Sequence, residues 1–551
     1  MNNKRKKIAK SVRKANNADL VKSQMIATLH FLITFLNDSV IFGSQSSTKI
    51  AQILSFYIFG KVLIFFLLSI AWYKIVKTNF SDDDTKKKIK IFSIYFVIMV
   101  LLLIAVWPGV WRWDELYTLG NLTEGQVHYW QHWLSALYEF LCLQLIPLPG
   151  GILIIQVVII SLVVTDIVWK LLINLKTKLV YLVYIPLMLP AILDSNLYPI
   201  RATPCAYLEL WLVFQIIDMA FFDAICTTKT IAVLGMIGGI VTAWRPENII
   251  YIVGLPIILV FTKKINANKV LLYLLLSSMI VFTSNQVNNN GLDGIIFSQN
   301  ENGEITGQKE AYSLSGFITS LGDIVATDFN SNNKEADLEL ISDCMDLEML
   351  TQSGGMATFW GGGLKEITPE KLAQLKKLYI KLVVYNFPEF MKSRWKVFVS
   401  TNFSNGNEIQ LQASAHLYDE FTEEDTYEFI NNYQDFRSRY AFNTPLSVEL
   451  RKSVISFLEC KKTTDYLGSS LPIVAWFYNV FPILISLLAI WIIETIKKNY
   501  TWFFVIGLLL AKCGIIFLTA PLSMFMYYFS TYLVGLMIIV FWFIKRGRFS
   551  V

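Results

Sequence analysis

In the stretch VWPGVWRWDELYTLG, residues 106–120, Asp114 and Glu115 stand side by side among Trp107, Trp111 and Trp113. Paired carboxyls in an aromatic setting suit proton abstraction from a hydroxyl, because burial and a like-charged neighbour both raise a carboxyl's pKa toward a useful range. An interfacial belt explains the tryptophans without any chemistry. His128 and His132, two of the chain's 4 histidines, follow in the same loop. At i, i+4 spacing they share one face if the segment is helical, with Glu124 one turn earlier. That trio is open between three readings: metal ligands, hydrogen-bond partners for a polar or phosphorylated substrate, and plain surface residues.

Cationic groups stand further along. Arg201 lies in LYPIRATP and Arg245 in TAWRPENII. A guanidinium stays charged and binds phosphate oxygens through two parallel hydrogen bonds, so both are candidates to hold a phosphate. Glu247, two residues after Arg245, offers an ion pair instead. Lys61 and Lys512 fall inside apolar runs, where an ionisable side chain needs a partner. Asp38 is the expected partner of Lys61. Lys512 is open between a structural role and a cavity for an anionic headgroup.

The elements that must position these groups follow from composition. The 551 residues are 54% hydrophobic and 16% charged, the profile of an all-α polytopic membrane protein. Apolar runs near 25–43, 50–74, 89–107, 150–170, 179–193, 204–222, 230–244, 247–262, 269–284, 471–495, 500–519 and 522–544 make about twelve crossings at roughly 17–25 residues each. Lys and Arg gather in alternate loops, which predicts that both termini and the 1–24 segment are cytoplasmic and the Asp114 loop (108–149) is outside. The 48 Lys+Arg against 42 Asp+Glu give +6, and their scatter through short loops argues against nucleic acid. With 6 cysteines and no Cys-x-x-Cys, neither a zinc ribbon nor a redox centre is indicated. A Cys344–Cys460 bond has nothing to support it.

Between the transmembrane region 25–284 and the last three spans (471–551), residues 285–470 read as a mostly helical extracytoplasmic domain. It is rich in Asn and Gly at its start and acidic around FTEEDTYEF. Thr368-Pro369 marks a helix start, with Thr368 as N-cap. GGMATFWGGG lacks the Lys-Ser/Thr of a phosphate loop and reads as a flexible loop, with a mobile active-site loop as the alternative.

The acidic outer loop, the His-bearing HYWQHWLSALYEFL, the Arg-Pro-Glu turn and the near-terminal APLSMFMYYF together resemble the GT-C superfamily of integral-membrane glycosyltransferases, in its bacterial branch acting on cell-surface polysaccharide or glycolipid. The resemblance covers the membrane part, and His132-Trp133-Leu134 stands where many members have His-x-Pro. It implies transfer of a sugar, with inversion, from a polyprenyl-phosphate donor to a glycan or glycolipid acceptor on the extracytoplasmic face of the cell membrane. Asp114 would then be the general base, with Glu115 as its neighbour or substitute. His128, His132, Arg201, Arg245 and Lys512 would contact substrate. No metal or other cofactor is required, although a divalent ion is compatible with the chemistry. Two rivals stay open. A polysaccharide polymerase or ligase shares the large outer loop, and a transporter shares the span count but would divide into two similar halves.

Overall fold

The computed structural model describes residues 2–128, 131–222, 224–262, 265–290, 313–403, 414–415, 445–460 and 474–547. Their β structure is limited to a two-residue antiparallel ladder, Trp111–Arg112 against Ser414–Ala415, and a bridge from Met345 to Leu364. Everything else is helical or irregular. The first part of the chain forms α1 (Asn2–Phe42), α2 (Ser46–Gln52), α3 (Leu54–Lys77), α4 (Asp83–Ala105), α5 (Trp113–Thr123), α6 (Trp133–Leu145) and α7 (Pro149–Leu175). It continues with α8 (Tyr184–Leu187), α9 (Pro190–Asn196), α10 (Ala202–Phe222), α11 (Thr228–Trp244), α12 (Ile249–Phe261) and α13 (Ala267–Asn290).

The apolar runs are largely helical in their described parts, and among the described residues fewer than twelve reach span length. Among the described residues, eight helices are long and apolar enough to cross a membrane, or 9 if the Lys178–Leu187 and Pro190–Asn196 pair, bent by 74°, is one span. The bend falls where Pro190 opens α9, since proline has no N–H to continue the preceding ladder. Thr228–Trp244, Pro246–Phe261 and Phe481–Ile496 are apolar but shorter. Burial sorts the spans into two layers. The most apolar windows of α7, α10 and the Phe525–Arg546 helix are 61%, 67% and 72% buried, whereas those of α3, α4 and α13 are 22%, 22% and 17% buried. Helices so apolar and so little buried need an apolar solvent, and Phe66, Leu101 and Phe282 supply the outward faces.

One end of the bundle gathers the connections between α4 and α7, α9 and α10, α11 and α12, and the turn before the Phe525–Gly547 helix. Gln131 meets Arg201, Trp244 meets Ser135, and Arg245 meets Met526. At the same end, α1 runs unbroken through Asn37 and Asp38, two polar residues within its apolar run. Both side chains find partners. Asn37 donates to the Gln144 carbonyl at 2.7 Å, and Asp38 pairs with Lys61 at 3.0 Å, as expected.

Residues 314–391 contribute to a core of their own that includes Leu321, Ile341, Leu350, Leu375 and Leu382, while Val397 and Phe398 join the core of the bundle. Thr368 caps the Pro369–Tyr385 helix by accepting the Lys371 N–H at 3.3 Å, with Pro369 in its first turn. Thr368→Ala should therefore cost about 1 kcal/mol, read as a lowered unfolding midpoint of the purified protein. GGMATFWGGG is not simply a loop, because Gly355–Trp360 closes a short helix within it.

The boundaries 285–470 need correction at both ends. Residues 285–290 continue α13. The Val448–Leu458 helix belongs to the bundle, with Ile455, Leu458 and Cys460 in its core and Arg451 donating to the Gly109 carbonyl at 2.9 Å. Cys344 and Cys460 are both free and sit in different cores. FTEEDTYEF lies outside the described residues.

Candidate functional site

The Asp114 loop is anchored before it turns into α5. Gly109 adopts φ +115, where a Cβ would lie 1.7 Å from the Leu153 side chain, so only glycine fits. Val110 N–H then donates to the Leu197 carbonyl at 2.9 Å. Trp111 is fully buried and its indole N–H donates to Pro108, which removes it from an interfacial belt. Trp107 packs against Gly150, and the Trp113 side chain lies outside the described residues. Leu116, Leu119 and Leu122, at i, i+3 and i+6, form the buried face of α5. Asp114 and Glu115 occupy its first turn, where the helix dipole favours negative charge.

Asp114 is partly buried and accepts a hydrogen bond from Gln131 Nε2 at 2.8 Å. Arg201 stands beside it, donating from Nη1 to the Gln131 carbonyl at 3.0 Å. Burial pushes the Asp114 carboxyl up to about 6, against the pull of the Arg201 charge and the Gln131 hydrogen bond. Arg201→Gln removes that charge, so any pH limb reporting Asp114 should move to higher pH than in the wild type. A pH titration of activity, or of the carboxyl by infrared difference spectroscopy, checks the direction.

His132 departs from the expected helix face. It sits at φ 65 as the residue before α6, so it and His128 are not one turn apart on a helix. Such a backbone costs of order 1–3 kcal/mol in a non-glycine residue. Ser135 holds it in place, with its N–H on the His132 carbonyl at 2.9 Å and its hydroxyl on the Gln131 carbonyl at 2.6 Å. Burial, then the Arg201 charge, lower the His132 pKa to about 3, so its ring stays neutral at working pH. His128 Nε2 lies 3.2 Å from the Gln126 side chain and its ring leans on Tyr117. Glu124 pairs instead with Lys49 at 2.7 Å, so the trio does not converge. Among the described residues no three His, Cys, Asp or Glu side chains are grouped to hold a metal.

The other cations cluster nearby. Arg245 is buried, ion-paired to Glu247 at 2.5 Å and bonded to the Met526 carbonyl at 3.3 Å. Burial opposes both charges, but the pairing outweighs it: Arg245 is held above, and Glu247 below, its ordinary pKa. Lys512 is fully buried against Glu209 at 2.5 Å and Ser530 at 2.6 Å. It therefore has an internal counter-ion rather than an open cavity. Arg201, Arg245, Glu247 and Glu209 all lie within electrostatic reach of Cys205, which makes one charge cluster of them.

Two buried acids escaped the sequence reading, Glu209 on α10 and Glu139 on α6. Each is a carboxyl within an apolar helix, the signal that drew attention to Lys61 and Lys512. Glu139 is 2% exposed and lines a cavity of about 10 Å³ with Glu115, Arg201, Tyr138 and Trp244. Compared with models of known protein families, with curated proteins and with solved structures, the chain matches none.

Proposed function

We propose that the protein is an integral-membrane glycosyltransferase that moves a sugar from a polyprenyl-phosphate donor to a glycan or glycolipid acceptor, at the extracytoplasmic face of the cell membrane. The observation that carries this reading is the Asp114 carboxyl, raised to about 6 in the first turn of α5, bonded to Gln131 and flanked by Arg201. A carboxyl with that pKa is mostly ionised at neutral pH and still basic enough to accept a proton from a hydroxyl during attack. Asp114 takes the acceptor's proton as the acceptor oxygen bonds to the anomeric carbon. The bond from that carbon to the phosphate oxygen breaks on the opposite side, its electron pair leaves on the phosphate, and the configuration inverts.

Arg245 is the residue suited to the departing phosphate, since a fixed guanidinium donor stabilises charge where it develops, whereas Arg201, beside Asp114, stands on the acceptor side. Glu247 fixes Arg245 and at the same time competes for it. Lys512 supports this end through Glu209 rather than by touching the donor. The apolar outer faces of α3, α4 and α13 accommodate lipid, which is where a polyprenyl tail resides.

The test is transfer by the purified protein in proteoliposomes, from a panel of polyprenyl-phosphate sugars supplied in the outer leaflet. Product formation from at least one donor, dependent on Asp114, supports the reading. Failure with every donor, accompanied by solute flux across the same vesicles, would falsify it and favour a transporter.

A further inference from the structure

The small cavity under α5 presents hydrogen-bonding groups of both kinds to one water-sized space. Glu139 reaches it from α6, and its Oε2 receives no hydrogen bond. Glu115 faces the same cavity from α5, near enough for the two carboxyls to feel each other's charge. Arg201 lines it as a donor. The apolar side is formed by Tyr138 and Trp244, whose ring centroids are 5.8 Å apart, and Trp244 is fixed by donating its indole N–H to Ser135 Oγ at 2.9 Å.

The chemistry of these walls selects the occupant. A cation meets Arg201, and an anion meets Glu115 and Glu139. A buried carboxyl oxygen without a hydrogen-bond partner is costly, so the occupant must be a group that can hydrogen-bond to it. A volume of about 10 Å³ admits one water or one hydroxyl group. A hydroxyl both donates and accepts, which suits walls that carry groups of both kinds.

We propose that Glu139 binds one hydroxyl of the acceptor sugar, a neighbour of the hydroxyl that gives its proton to Asp114. The O–H donates to Glu139 Oε2 and the oxygen accepts from Arg201. This site rests on the glycosyl-transfer reading, and it makes Glu139 a determinant of which acceptor is used. A pocket built around a hydrogen bond to a hydroxyl discriminates strongly against the analogue lacking that hydroxyl, because its own polar group is left unpaired.

The experiment titrates the full-length protein in lipid nanodiscs with methyl β-D-glucopyranoside, methyl β-D-galactopyranoside and their 2-, 3-, 4- and 6-deoxy forms, following binding by tryptophan fluorescence. In the wild type, removal of one particular hydroxyl should weaken binding by about tenfold or more, with smaller effects elsewhere. In Glu139→Gln and Glu139→Ala that positional penalty should shrink to within about threefold while the parent glycoside still binds. The wild-type penalty is read first, so the test does not depend on either variant folding. Absence of any positional penalty, absence of glycoside binding, or the same penalty in Glu139→Gln overturns the proposal. Transfer measured in parallel separates the two readings. Transfer without a positional penalty removes only the hydroxyl site, whereas a Glu139-dependent penalty without transfer from any donor removes only the transferase.

Discussion

Replacing Asp114 with asparagine should lower the proposed sugar transfer by ~10²–10⁴-fold, the range over which a positioned general base contributes to a rate. Asparagine keeps the shape and can still accept from Gln131, so the loss falls on the chemical step and leaves donor binding and the unfolding midpoint close to wild type. The wild-type rate should fall as pH drops through about 6, because the protonated carboxyl cannot accept the acceptor's proton. In the variant that limb disappears. Undiminished transfer by Asp114→Asn would dismiss Asp114 as the base and turn attention to Glu115, which is 4% exposed on the cavity side of the same helix turn. Glu115→Gln separates the two: with Asp114 as base it keeps the acid limb.

How much of this was legible beforehand depends on the interaction involved. Apolar runs announce helices because a chain in lipid must satisfy its backbone internally. The α1–α3 pairing of Asp38 with Lys61 was accessible for the same reason, since two charges in neighbouring apolar runs have few other partners. Span length was less accessible. The bend at Pro190 and the short α11 and α12 depend on how the helices pack, which hydropathy does not record. The histidine face failed because i, i+4 geometry presupposes a helix. Gly125 at φ +75 and His132 at φ 65 lie outside helical geometry, and neither His128 nor His132 is in a helix. Glu209 and Glu139 were missed because their meaning comes from distant residues. Glu209 meets a lysine 303 positions away, and Glu139 meets the wall formed by Glu115 and Arg201. The comparison of Trp111 with a membrane belt failed likewise, since an indole can be interfacial or core with the same neighbours in sequence.

Lys512→Met destabilises the protein by about 3–5 kcal/mol, the cost of leaving one member of a buried ion pair without its counter-charge. Lys512 and Glu209 are both fully inaccessible, and Glu209 also accepts from Tyr251 at 3.2 Å, so no solvent is at hand to compensate. Glu209→Gln should destabilise to a similar extent by stranding the ammonium. The double variant Lys512→Met/Glu209→Gln should recover most of the loss, because a neutral amide can keep the Tyr251 contact while methionine fills the lysine's path. Unfolding midpoints of the four proteins in one detergent close the cycle. Transfer activity then distinguishes support from substrate contact. If Lys512 acts only through Glu209, the double variant regains activity along with stability. A double variant that is stable yet inactive would place the lysine on the donor phosphate, and Glu209 would then be the group that holds its charge until the phosphate arrives.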